Sequence, residues 1–230
     1  MVPEIKYAIV TGSSRGIGLA TVKTLIDAGM HVTGWSRSQA PFRHDRFTQV
    51  PADLSDPVSI EDAYHKTLDE SGGQIDVLVN NAGIGYYGEF EETPVETWQN
   101  MFRINVDGIF HCTRMVIPLM KEQGSGHIVN ISSIAGLNGV KNMAGYSATK
   151  HAVRGISHSL FMELREYGIK VTCIYPGSVQ TNIGDNLSGF SLAANPMMPE
   201  DIAATVLNVI DTSPNYLTVD VEVRPLKPKG

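Results

Sequence analysis

The chain is poor in cysteine, in basic runs and in long apolar stretches, and each shortage removes a class of protein. Two cysteines, Cys112 and Cys173, among 230 residues cannot build a disulfide framework. Both sit in apolar surroundings that suit a reducing compartment and a core role. No Lys/Arg run occurs, and 24 acidic against 18 basic residues leave a formal charge of −6. Nucleic acid is therefore not an expected partner. No segment reaches the roughly 20 apolar residues of a membrane span. Met1 to Lys6 lack a basic region followed by an apolar one, so the chain reads as soluble and cytoplasmic, without a membrane partner. His111, His127, His151 and His158 have neither the spacing nor the carboxylate company of a metal site, and no metal is expected.

What is present is an ordinary globular balance, 42% hydrophobic and 18% charged, enough for one large α/β domain over residues 1–230. Apolar, partly β-branched runs at Ile5–Thr11, His31–Trp35, Phe47–Pro51, Asp76–Asn80, Gly126–Ser132, Lys170–Tyr175 and Tyr216–Val223 read as strands. Helical periodicity separates most of them, marked by Ile17, Ala20, Leu25 and Ala28, by Val58, Ala63, Tyr64 and Leu68, by Ala152 to Leu164, and by Ile202, Val206 and Val209. This alternation predicts a doubly wound, mostly parallel seven-stranded sheet with helices on both faces. Ser36 to Arg46, with Pro41 and no periodicity, predicts an irregular link instead of a helix. The row Trp98, Met101, Phe102, Val106, Ile109, Phe110, Val116, Ile117 and Met120 is broader than one buried face needs, so part of it faces another subunit.

The first strand runs directly into Thr11, Gly12, Ser13, Ser14, Arg15, Gly16, Ile17, Gly18. Glycines there let the backbone turn and let a pyrophosphate approach, while the following helix offers unpaired N–H groups. The spacing is Gly-x-x-x-Gly-x-Gly, not the Gly-x-Gly-x-x-Gly fingerprint. Asp53 follows the third strand and Asn80, Asn81, Ala82, Gly83 the fourth, both at the carboxyl edge of the sheet, where ligands bind. Further on, Tyr146 and Lys150 stand four apart, one above the other on a helix. A free phenol, with pKa about 10, is a poor base at neutral pH until a neighbouring cation stabilises the phenolate and lowers that value.

Together these residues resemble the short-chain dehydrogenase/reductase family over essentially the whole length. The resemblance rests on the Thr11–Gly18 loop, Asp53, Asn80–Gly83, Asn105, Ser133, the Tyr-x-x-x-Lys of Tyr146 and Lys150, and Pro176-Gly177 followed by Thr181. It implies a Rossmann-type fold, a nicotinamide cofactor, hydride transfer and a homodimer or homotetramer. It also implies catalytic roles for Asn105, Ser133, Tyr146 and Lys150. Tyr146 exchanges a proton with the substrate oxygen, and Ser133, rather than Ser132, polarises that oxygen. Lys150 binds ribose and lowers the phenol pKa, and Asn105 holds a water that links Lys150 to solvent. The cofactor is expected on Gly12, Ser14, Arg15, Gly16, Ile17, Gly18, Ser36, Arg37, Asp53, Leu54, Asn81, Ala82, Gly83, Tyr146, Lys150, Pro176, Gly177, Val179 and Thr181.

At the end of the second strand an NAD-selecting chain places an acid on the ribose hydroxyls, whereas this one has Ser36 followed by Arg37. With Arg15 they predict preference for NADP(H). Residues 176–199 are expected to cover the substrate. Within them Asn182 to Met198 hold one acid, Asp185, and no Lys or Arg, with Ile183, Leu187, Phe190, Leu192, Met197 and Met198 as apolar surface and Gly184 and Gly189 as points of movement. The opposite wall, Leu137 to Val140, is uncharged too. Tyr86 and Tyr87 reach the substrate or pack at the core edge. The reading is an NADPH-dependent reductase of small uncharged aldehydes or ketones. Two alternatives stand: a reductase of 3-oxoacyl thioesters on a carrier protein, and a cofactor-binding protein with no catalytic output.

Overall fold

The computed structural model describes residues 6–181 and 192–229. Seven strands form one sheet: β1 Tyr7–Thr11, β2 His31–Ser36, β3 Phe47–Pro51, β4 Val77–Asn80, β5 Gly126–Ile131, β6 Ile169–Pro176 and β7 Asp220–Val223. Every pairing is parallel and the order is β3-β2-β1-β4-β5-β6-β7. After β3 the chain crosses to the other side of β1 to lay down β4. The carboxyl ends of β1 and β4 thus diverge into a crevice, the place where open α/β sheets bind ligands.

Helices α1 Gly16–Asp27 and α6 Pro199–Ile210 cover one face, burying Val22, Leu25, Ile26, Val206 and Val209 against Val10, Val79 and Val129. On the other face lie α2 Pro57–Ser71, α3 Val95–Phe102, α4 Gly108–Gln123 and α5 Ala144–Leu164, where Ile60, Ala63, Cys112, Val116 and Leu164 pack on Ile9, Leu78 and Ile128. Local chemistry sets the ends of α2. Asp56 accepts from the Val58 N–H, Pro57 takes the first helical position and Gly72 stops the helix at φ 64°, each a favoured terminator there. Between β2 and β3 there is no helix, as the Pro41 segment predicted.

Most strand bounds shift from the sequence reading by a residue or two, and two differences are larger. Tyr216 to Val219 do not extend β7, which starts at Asp220. Tyr216 is 58% exposed there, so its β-branched and aromatic surroundings had no buried face to join. The long helical stretch is also interrupted, because Arg103–Asp107 form one π-helical turn between α3 and α4. Ile5, Asn182, Ile183, Gly184, Asp185, Leu187, Gly189 and Phe190 lie outside the described residues. Among the described residues no helix is long and apolar enough to cross a membrane.

Candidate active site

Thr11, at the carboxyl end of β1, ties two loops together. Its hydroxyl accepts from the N–H groups of Asn81 (3.0 Å) and Ala82 (3.1 Å), while Asn81 Nδ2 donates to the Thr11 carbonyl (2.9 Å). The approach is too close for side chains. Gly12 has φ 67°, and a Cβ on it would sit 2.9 Å from Ala82 Cα; one on Gly18 would sit 2.6 Å from Asn81 Nδ2. Both positions therefore demand glycine. Arg15, before α1, caps none of its N–H groups with its side chain, so the start of the helix is left for an anion.

These loops open a cleft of about 790 Å³ along the carboxyl edge. It is lined by Gly12 and Ser14 to Ile17, by Ser36 and Arg37, by Asp53 and Leu54, by Asn81 to Gly83, and by Pro176, Gly177, Val179 and Thr181. Ser133, Tyr146 and Lys150 line it too. Gly18 and Asn105, both buried, are not among the lining residues.

Ser132 and Ser133 both line the cleft but differ in what their hydroxyls bond. Ser132 is buried and its hydroxyl donates to the Lys150 carbonyl (3.0 Å), a structural bond between β5 and α5. Ser133 faces the cleft, where its hydroxyl accepts from the Ala135 N–H (3.1 Å) and also meets the Tyr146 phenol. The electrostatics depart from the sequence reading. Burial pushes the Tyr146 phenol above its ordinary value, with the Ser133 hydrogen bond pulling the other way. Lys150 does not lower it, since its Nζ donates to the Ile131 carbonyl (2.8 Å) and lies 5.7 Å from the centre of the Tyr146 ring. Burial acts on Lys150 as well and lowers its ammonium from 10.5 to about 8. Desolvation therefore dominates the shift of both groups here.

Asn105 uses its side chain on protein partners. Oδ1 accepts from the Ile84 N–H (2.9 Å), and Nδ2 donates to the Ile84 carbonyl (2.8 Å) and to Thr149 Oγ1 (3.0 Å). The side chain thus fixes the exit of β4 against the helix of Tyr146. Asp53 accepts from the N–H and hydroxyl of Ser55, which hold its carboxyl below the usual range, and Arg37 adds to this. The Ser36 hydroxyl turns inward, donating to the Ser38 carbonyl (2.8 Å).

The sequence profile of the family described as short chain dehydrogenase matches residues 6–190. The chain belongs to the short chain dehydrogenase family. It is similar to an uncharacterized oxidoreductase of Staphylococcus saprophyticus, with 36% identity covering 96% of this chain and 97% of the relative. The fold is similar to that of a serine dehydrogenase in its closed form complexed with NADP+, with TM-score 0.89, 28% identity, and 96% and 95% of the two chains covered. It is similar also to a 3-ketoacyl-(acyl-carrier-protein) reductase from Brucella melitensis complexed with NADH, with TM-score 0.88, 25% identity, and 95% and 96% covered.

This short chain dehydrogenase, an oxidoreductase, has a substrate-side wall that sequence reasoning largely missed. Ile84, Gly85, Ile134, Ala135 and Met143 line the cleft beside Ser133 and Tyr146, with Val140 and Leu192, which were expected. Leu137 instead packs into the core against Ile109, Val153, Cys173 and Tyr175. Of the expected apolar cover, Met197 bridges Val179 and Met198 is 47% exposed before α6. Tyr87 does not line the cleft; its hydroxyl accepts from Asn142 Nδ2 (3.3 Å). The four singled-out histidines form no metal cluster; among the described residues no group of three or more His, Cys, Asp or Glu is placed to hold an ion.

The buried ammonium carries a stability cost with a defined pH dependence. Its folded value of about 8 lies below the unfolded 10.5, so between those values the unfolded chain holds a proton that the folded one has released. Stability therefore rises with pH across that window. At pH 7 the shift corresponds to roughly 3 kcal/mol. Lys150→Met is expected to unfold later than the native chain at pH 7, and the gap is expected to close by about pH 10.5. Denaturant titrations of both chains at pH 7, 9 and 10.5 check it; a gap that widens with pH contradicts the account.

Proposed function

We propose that this oxidoreductase uses NADPH to reduce small uncharged aldehydes or ketones to alcohols, and runs in reverse with NADP+. The contrast between the two ends of one cleft carries the reading. Arg15 and Arg37 stand along one part of the lining, while Ser133 and Tyr146 share the other with Ile84, Ile134, Val140 and Met143; among the described lining residues there the only charge is Lys150.

The residues present fit a dinucleotide. The start of α1 has no side-chain cap, Gly12 and Gly18 bring backbone to backbone, and the cleft volume suits an extended ligand with room beside it. Gly12 to Gly18 would hold the pyrophosphate, Asp53 and Leu54 the adenine, and Arg15 and Arg37 the 2′-phosphate. Asn81, Ala82 and Gly83, with Pro176, Gly177, Val179 and Thr181, would hold the nicotinamide half. When bound, NADPH supplies the hydride received by the carbonyl carbon.

The chain's own groups manage the oxygen. Ser133 donates a hydrogen bond to the substrate oxygen and holds it beside the Tyr146 hydroxyl. Tyr146, kept protonated by burial, gives up its proton as negative charge develops on that oxygen. Lys150 turns from the Ile131 carbonyl to the ribose hydroxyls and to the phenolate as it forms, where its attraction acts on the state that needs it. Asn105 positions Tyr146 through Thr149, whose hydroxyl donates to the Tyr146 carbonyl (2.8 Å).

We read residues 1–230 as one cytoplasmic NAD(P)-binding domain, with 176–199 over the substrate. Val95 is 71% exposed and Phe110 53%, apolar surface that a second copy would bury in a homodimer or homotetramer. The rival substrate is a 3-oxoacyl thioester, favoured by the likeness to the Brucella melitensis enzyme. Relative kcat/KM decides on charge. A neutral ketone is expected to exceed an anionic keto acid of the same shape by at least about tenfold, because the wall offers the carboxylate no cation besides Lys150. A higher value for the keto acid overturns the assignment.

A further inference from the structure

The irregular link after β2 carries Arg37, Ser38 and Gln39 along the cleft, yet it has no helix to hold it. What holds it is one side chain on the neighbouring edge strand. Gln49, in β3, donates from Nε2 to the Ser36 hydroxyl (3.0 Å) and to the Ser38 carbonyl (2.6 Å), and accepts at Oε1 from the Ala40 N–H (2.7 Å). All three bonds fall on residues 36–40. The parallel register sets Gln49 beside Gly34, where a Cβ would meet Ser13 Oγ at 2.5 Å and Phe47 at 2.7 Å. Ser13 in turn donates to the Ser36 hydroxyl (3.4 Å). The glycine loop and the β2 exit are thus joined through Ser36, and Gln49 closes the group from outside.

We infer that Gln49 is a positioning residue for cofactor choice: its amide sets the shape of residues 36–40 and so fixes Arg37 and Ser38 where a 2′-phosphate is met. The inference rests on the reading of the cleft as an NADP(H) site. It follows from which group does what. The Ser36 hydroxyl spends its proton on the Ser38 carbonyl and its lone pairs on Ser13 and Gln49, so it has no donor left for a phosphate. Recognition falls to Arg37, to Arg15 and to the loop itself. A flexible exposed arginine loses much of its worth when its backbone is free to wander, because ordering it must then be met from the binding energy. A ligand without the 2′-phosphate makes no use of that order.

The test is the ratio of affinities, measured by NADPH and NADH fluorescence on the full chain. For Gln49→Ala, which removes all three bonds, Kd for NADPH is expected to rise about tenfold, the effect of losing one to two kcal/mol of order, while Kd for NADH moves far less. Gln49→Glu keeps the acceptor for Ala40 but loses both donations, and should shift the ratio the same way. Melting temperatures separate shape from folding: a merely structural residue would lower the melting temperature and weaken both cofactors alike. Equal losses for NADPH and NADH in a folded variant, or an unchanged ratio in both variants, overturn the inference. If the native chain binds NADH as tightly as NADPH, the NADP(H) reading itself fails and this inference falls with it.

Discussion

Replacing Tyr146 by Phe is expected to lower kcat by about 10²–10⁴-fold, the range a positioned general acid supplies, while leaving the affinity for NADPH almost unchanged. The hydroxyl lies beside Ser133 and its removal takes nothing from the loops that line the rest of the cleft. The folded structure should tolerate the change, since the ring stays and only a hydrogen bond to Ser133 disappears. Lys150→Ala gives a different pattern. That side chain also lies in the cleft and serves the ribose in the proposed mechanism, so both kcat and cofactor affinity should fall. Steady-state kinetics with NADPH titrations on the two variants distinguish these outcomes, and near-normal turnover in Tyr146→Phe would falsify the proton-donor assignment.

The second large effect concerns cofactor choice. Ser36→Asp with Arg37→Ala is expected to change the ratio of kcat/KM for NADPH over NADH by about 100-fold towards NADH. That corresponds to ~2.7 kcal/mol, the order of one charge-assisted hydrogen bond between a guanidinium and a phosphate. The geometry favours the exchange. A carboxylate at position 36 can accept from Gln49 Nε2, which already points there, and present its other oxygen to the ribose hydroxyls while repelling a 2′-phosphate. Comparison of initial rates with both cofactors gives the ratio directly; a double variant that keeps the native preference removes Arg37 from the phosphate site.

The cofactor side of the cleft was legible in the sequence because its residues are set by backbone needs that leave a spacing. Gly12 needs a positive φ and Gly18 a close approach, so both must be glycine, and the loop length between strand and helix fixes their separation. Tyr146 and Lys150 were legible for a similar reason, since four residues on a helix bring two side chains to one face. The alternating strands gave the sheet and even the missing helix after β2. The substrate wall left no such trace. Ile84, Ile134 and Met143 are apolar residues in irregular segments, and only the sheet order brings the exits of β4 and β5 side by side. Burial was equally invisible. The sequence puts a cation near a phenol, but the sign of the shift at Tyr146 depends on how much water both groups lose. Gln49 escaped notice because its three bonds go to a loop across two strands, a relation no local period records.

The most direct measurement of the central claim is NADPH consumption, followed by absorbance, on mixing the native chain with neutral aldehydes, neutral ketones, keto acids and 3-oxoacyl thioesters, with Tyr146→Phe beside it. The account predicts turnover of neutral carbonyl compounds in preference to anionic ones, with alcohol formed in step with NADPH consumed and the rate lowered by about 10²–10⁴-fold in the Phe variant. Tight binding of NADPH with no turnover of any carbonyl compound would contradict it and leave a cofactor-binding protein on an oxidoreductase fold.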